Sequence, residues 1–172
     1  HINLEVKSPN ELLRDVMDGK LHLAIGSFPK ILLGLNYTKL YEERHYFYCA
    51  SAHPLFSLKE KEITQAMIGK YRLVSRGYWG SRDAKHIRSE RANATVNNME
   101  AAARLILSGD YLGYLPEHYA TGWEEGHMLK KLLPAELTYL APFELAYDPA
   151  KLVLPPVKLF TSLAASVLAR KE

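Results

Sequence analysis

The sequence predicts an α/β protein of two lobes, and a repeated unit carries that prediction. Residues 97–116, NNMEAAARLILSGDYLGYLP, read as a helix that runs at once into a buried strand. Residues 8–27, SPNELLRDVMDGKLHLAIGS, repeat the unit. In both, a capping residue precedes Glu by three positions, and a glycine follows that Glu by eight residues (Glu11 to Gly19) or nine (Glu100 to Gly109). A polar residue with Glu three positions on is a capping box, in which each side chain meets the other residue's backbone N–H. Chance repetition within an α/β protein accounts for such a pair as well. The functional reading is one helix start per lobe facing a shared cleft, because free N–H groups and a partial positive charge gather there.

Composition narrows the function classes. The chain has 172 residues, 48% of them hydrophobic, enough for a core in one unit or two small lobes. No apolar run reaches the roughly 18 residues of a membrane span, and no basic stretch followed by an apolar core marks a signal peptide. The start His1-Ile2-Asn3 enters a strand without an initiator Met and reads as the interior of a longer chain. The net charge of +3 is too mild to argue for nucleic acid by itself. Cys49 is the one cysteine, which excludes an internal disulfide, disfavours a structural zinc site and suits a reducing compartment.

Ile2, Leu4 and Val6 alternate with polar residues, predicting a strand over 2–7. Ser8 caps the next helix and Pro9 fills its first position. Leu12, Leu13, Val16 and Met17 share one face of that helix, which ends near Asp18. A strand over 21–26 completes a βαβ unit with a right-handed crossover and parallel strands. His22, within that strand, reads as a histidine in or near the core. Gly26-Ser27-Phe28-Pro29 follows the strand's carboxyl end, where open α/β sheets hold ligands, and a plain surface loop explains it equally well. Residues 31–36 form a loose loop around Gly34.

Residues 37–51 predict a short strand, a turn at Glu42-Glu43-Arg44-His45 and a second strand over 45–50, with Cys49 a buried, inert thiol. Pro54 closes that strand and 59–62 is solvated. A short helix over 64–68 and a strand over 71–74 follow. In the next loop, 75–80, Arg76 offers a partner to an anion and Tyr78 and Trp79 offer faces to a flat ligand. An ordinary glycine-rich surface loop has the same composition. Arg82, Lys85, Arg88 and Arg91 recur every three residues, as a solvated helix face first and a polyanion site second. In the second repeat Asn97 caps, Gly109 turns left-handed, and the strand runs from Tyr111 to Leu115. Beyond it lie a polar connection over 118–126, a strand or short helix over 128–133, strands around Pro142, and a proline-rich loop over 148–156. A helix from Pro156 to about Arg170 closes the chain, with Val157, Phe160, Leu163, Ala164, Val167 and Leu168 as its stripe.

No Gly-x-Ser-x-Gly elbow, P-loop, His-Glu-x-x-His or Gly-x-Gly-x-x-Gly is present, and the seven histidines lack metal-ligand spacing. The chain is therefore expected to be no enzyme and to use no metal or cofactor. A binding module for a small anionic ligand, held largely by N–H groups, is what remains.

The order SPNELLRDVMDGKLHLAIG, LYEERHYFYCASAHPLF, NNMEAAARLILSGDYLGYLP, a late FELAYD strand and a closing amphipathic helix resembles the effector-binding domain of LysR-type transcriptional regulators. The resemblance covers essentially the whole chain. It implies two Rossmann-like lobes, as in type II periplasmic binding proteins, joined by two crossover segments with the effector in the cleft. It divides the chain into 1–51 (lobe I), 52–138 (lobe II) and 139–172 (return to lobe I), with the family's first strand and first helix falling before His1. Residue by residue it places Ser8 at the first-lobe helix start and Ser27 and Phe28 in the following strand-end loop. Ser75 and Arg76 match the second-lobe strand-end loop, Asn97 and Asn98 the second-lobe helix start, and Gly113 the strand beside the cleft. The resemblance further implies a cytoplasmic regulator acting as a dimer or tetramer on a small organic acid or aromatic effector. DNA would be bound only through an N-terminal helix-turn-helix that this chain lacks. A solute-binding protein of a transport system is the alternative with the same fold.

Overall fold

The computed structural model describes residues 1–79, 83, 87 and 92–168. In chain order the elements are α1 (Pro9–Met17), β1 (Leu23–Gly26), β2 (Asn36–Ala50), α2 (Gln65–Ile68), β3 (Arg72–Arg76), β4 (Ala94–Val96), α3 (Met99–Leu107), β5 (Tyr111–Pro116), α4 (Glu117–Glu125), β6 (Leu129–Lys131), β7 (Thr138–Tyr147) and α5 (Pro155–Leu168). Short 3-10 turns lie at Glu60–Glu62, Gly77–Trp79 and Pro149–Val153. The chain forms two compact units, His1–Glu43 with Ala141–Glu172, and Arg44–Leu140. Strands β2 and β7 carry the backbone from one unit to the other.

In the first unit α1 begins where Ser8 leaves extended geometry, and the Glu11 carboxylate accepts both the Ser8 backbone N–H, at 3.0 Å, and its hydroxyl. The predicted capping box thus has its backward half in place. Leu12, Leu13 and Val16, at helical spacing, bury against Ala24, Phe28, Leu35 and Ala146. Gly19 ends the helix at φ +71°, the left-handed region that favours glycine. Strand β1 pairs antiparallel with β7, Leu23 opposite Tyr147 and Gly26 opposite Glu144.

Three expectations fail here. Residues 2–7 form no strand, and Ile2, Leu4 and Val6 are about nine-tenths exposed, at 90%, 86% and 93%. Alternation marks which face a strand would bury, but a strand exists only where a neighbour takes its N–H and C=O groups. Among the described residues none does so for 2–7, and the predicted parallel βαβ unit is replaced by the antiparallel β1–β7 pair. His22 precedes β1 and is exposed rather than near the core.

In the second unit β3 lies between β4 and β5, parallel to both, and β5 pairs antiparallel with β2. On its other side β2 pairs with β6, Tyr48 opposite Lys131. The path β4–α3–β5 is a parallel crossover, of which the repeat predicts the helix and the strand after it but not β4. Helix α3 packs Ala102, Ala103 and Ile106 on Val74, Tyr48 and Leu115, each large apolar side chain contributing about 1.5–3 kcal/mol by burial. Gly109 stops the helix at φ +86°. Its hydrogen points at Ala52, whose Cβ would stand 2.9 Å from a side chain there. Cys49 is fully buried and burial pushes its thiol up to about 11, as expected of an inert cysteine.

Other boundaries move. The turn expected at Glu42-Glu43-Arg44-His45 does not form, and β2 runs unbroken for 15 residues. Glu43, His45 and Phe47 are all buried, so the two-residue period continues through polar side chains. Residues expected as a polar connection form α4, which buries Ala120 and sets Tyr119 edge-on to Trp123. Residues 128–133 resolve in favour of strand β6. Pro142 does not divide β7, which runs from Thr138 to Tyr147, and the β1 register, starting at Glu144, asks no N–H of it. Helix α5 buries Val157, but Phe160 and Leu163 of its stripe are exposed. The basic series Arg82, Lys85, Arg88 and Arg91, with Arg170 and the side chains of Val167 and Leu168, lies outside the described residues.

Candidate functional site

The candidate residues are positioned separately in each unit. In the first, Ser8 is half-buried at the start of α1, its hydroxyl turned to Glu11. Ser27 follows β1 and is buried, and its Oγ donates to the Pro142 carbonyl at 2.6 Å. Phe28 faces inward, 5% exposed, edge-on to Tyr37 at 6.0 Å. The loop after β1 is thus fastened to β7 through Ser27 and to the core through Phe28.

In the second unit one end of the parallel pair gathers four candidates. Ser75 lies opposite Thr95 and Arg76 opposite Val96, so the chain leaving β4 delivers Asn97 and Asn98 beside the end of β3. Gly77 keeps this approach tight, since a Cβ there would stand 3.0 Å from Thr95 Cγ2. The cap of α3 is Asn98, not Asn97. Its Oδ1 accepts the Ala101 backbone N–H at 2.8 Å, while Asn97 Oδ1 receives the Asn98 side-chain amide. The shift by one residue leaves Glu100 without a capping partner, and it binds Arg104 at 2.8 Å and the Tyr119 hydroxyl instead. Burial, with that hydrogen bond, pushes the Tyr119 phenol up to about 12. Asn97 and Asn98 are both exposed.

Ser75 and Arg76 were expected in a loop and instead end strand β3, 4% and 1% exposed. The Arg76 guanidinium donates through Nε and Nη2 to the two oxygens of Asp83, at 3.1 and 2.9 Å, and through Nη2 to the Tyr139 hydroxyl. Nη1 lies 3.3 Å from His45 Nδ1. Arginine carries no acceptor, so Nδ1 accepts and the imidazole proton sits on Nε2. Asp83 also accepts the Arg76 backbone N–H and the Tyr139 hydroxyl. Burial pushes the Asp83 carboxyl upward, but the guanidinium outweighs it and holds the carboxyl below the usual range. Tyr78 and Trp79, expected to stack on a ligand, each place their ring 5.9 Å from the Arg76 guanidinium. Gly113, on β5, makes room for its neighbours: a Cβ there would stand 2.7 Å from Val74 Cγ1.

Sequence reading missed His45, Asp83 and Tyr139. His45 lay in an expected turn, Tyr139 in an unremarkable strand, and Asp83 within the basic series. No spacing links the three, because His45 lies within β2, Tyr139 near the start of β7 and Asp83 in no strand, and they meet only at Arg76. Among the described residues no three His, Cys, Asp or Glu side chains form a metal-binding group, and no helix is long and apolar enough to cross a membrane.

These features define a two-lobed α/β domain with polar helix starts. Over residues 1–169 the sequence matches the LysR substrate binding domain, and the chain belongs to that family. It is 35% identical over 139 residues to the HTH-type transcriptional activator BauR of Pseudomonas aeruginosa, a match covering 80% of this chain and 46% of that protein. The chain thus spans about half the length of the curated relative it matches. In fold it is similar to the regulatory domain of CcmR from Synechocystis PCC6803 in complex with 2-PG, with TM-score 0.78, 18% identity and coverage of 98% of this chain and 83% of that one. The apo regulatory domain of HypT from Salmonella typhimurium gives TM-score 0.73 at 12% identity, covering 98% and 82%. The family is one of binding domains rather than enzymes, in keeping with the missing catalytic spacings.

Proposed function

We propose that this chain is the ligand-sensing domain of a cytoplasmic LysR-type transcription regulator. It takes a small anionic or aromatic effector with groups from both lobes. Occupancy passes to DNA through a helix-turn-helix in the full-length protein and through the geometry of a dimer or tetramer. The observation that carries this reading is the family match over residues 1–169. The relative BauR is an HTH-type activator, and the CcmR regulatory domain is in complex with 2-PG, which supports an effector site in a domain of this fold.

Among the candidates, Ser8, Asn97 and Asn98 are the side chains with solvent exposure at helix starts, and we assign direct effector contact to them. Ser27, Phe28, Ser75 and Gly113 shape the ground beneath, and Arg76 acts by position. A ligand that prefers one arrangement of the lobes shifts the population toward it by its difference in affinity.

Thermal-shift screening of small carboxylic and aromatic acids tests the proposal. A true effector raises the Tm of the wild type and raises that of Ser8→Ala or Asn98→Ala less. An acid that stabilises all three equally would remove these residues from the site.

A further inference from the structure

We propose that Arg76 is a positioning residue that pins both lobe-crossing strands, β2 through His45 and β7 through Tyr139, to the end of β3. The second unit begins at Arg44 and ends at Leu140. His45 is therefore its second residue and Tyr139 its last but one. Both meet one guanidinium, whose side chain is 2% exposed. The two rings stack against each other, centroids 4.9 Å apart and 6° from parallel, so the strands are held to each other as well as to Arg76.

A planar fork of five N–H donors suits this task, because it serves three partners in fixed directions at once. Lysine, a single point of charge, cannot. Asp83 neutralises the guanidinium and aligns it, taking two side-chain N–H groups and the backbone N–H of the same arginine. An arginine so paired and so enclosed has no charge to offer a ligand. What it offers is a tie: Arg76 stands opposite Val96, one residue before Asn97. A change at the start of α3 therefore reaches both crossing strands through one side chain. The tie lies wholly within the second unit and holds whether or not the effector assignment above is right.

Hydrogen exchange followed by mass spectrometry on the whole chain tests it without any ligand, comparing wild type, Arg76→Lys and Tyr139→Phe. The phenylalanine variant removes one hydroxyl and keeps the ring against His45, so it carries the test where the lysine variant does not fold. In Arg76→Lys, amides of residues 44–47 and 137–140 are expected to exchange roughly tenfold faster, and in Tyr139→Phe those of residues 137–140, while those of α3 and β5 keep wild-type rates in both. Even acceleration across the second unit would mean that Arg76 is only part of its core. Wild-type rates in both crossing segments would mean that it pins nothing. Either result overturns the proposal.

Discussion

Arg76 Nη2 stands 2.9 Å from Asp83 Oδ1, with side chains 2% and 1% exposed. Burying two charges is costly, and their attraction repays the cost only while both are present. Asp83→Ala leaves a buried guanidinium without its counter-charge and is expected to cost about 3–5 kcal/mol in urea unfolding. The double variant Arg76→Met with Asp83→Leu is expected to lose less than Asp83→Ala alone. A double variant as unstable as the sum of the single changes would refute this account.

Gly113 is required by packing. A Cβ there would stand 2.7 Å from Val74 Cγ1 and 3.0 Å from Ile106 Cδ1. Gly113→Ala is expected to cost about 1–3 kcal/mol through overpacking between β5, β3 and α3. Adding Val74→Ala removes the nearest atom, so the pair of changes is expected to be less than additive. Strict additivity in denaturant midpoints would show that the contact is not what excludes a side chain.

His53, in the turn after β2, is 3% exposed and its Nδ1 accepts the Leu55 backbone N–H at 3.1 Å. Its proton is thus on Nε2, which has no hydrogen-bond partner among the described residues. The ring packs edge-on to Tyr71, 4.5 Å between centroids. A second proton would displace the Leu55 bond. Burial lowers the histidine's pKa from 6.5, partly opposed by Asp110. The folded state therefore binds this proton less readily than the unfolded chain. The stability it contributes is whole above pH 6.5 and is lost as pH falls from there through the folded value. Urea unfolding between pH 5 and pH 8, about the histidine titration range, is expected to show a steeper acid loss in wild type than in His53→Gln. Equal slopes would exclude His53 as the cause.

What the sequence discloses about this protein is what a few neighbouring residues decide. Pro9, Glu11 and Gly19 bound α1, and Gly109 with the Ala-rich run before it bounds the end of α3, because caps and left-handed turns are local. The failures share a cause. Residues 2–7 alternate correctly but lack a neighbour among the described residues, and no local pattern supplies one. The polar run Glu42 to His45 looks like a turn because burial of Glu43 and His45 is decided by distant residues. The candidate site divides the same way. Its helix starts were readable, whereas the fate of Arg76 depended on Asp83 and Tyr139, seven and 63 residues away in sequence.

The cap of α3 separates a structural role from a binding one. Asn98 Oδ1 accepts the Ala101 N–H, whereas Asn97 makes no bond to the helix backbone among those described. Asn98→Ala is expected to cost about 1 kcal/mol by loss of the cap, and Asn97→Ala only a few tenths. Asn98→Ser keeps a capping oxygen and removes the amide, so its unfolding midpoint should lie near that of wild type. If the Asn98 amide also touches effector, a stabilising acid found by screening will lose part of its Tm shift in Asn98→Ser despite the restored stability. An undiminished shift in Asn98→Ser would confine Asn98 to capping and move the contact to Asn97 or to the N–H groups of the first turn.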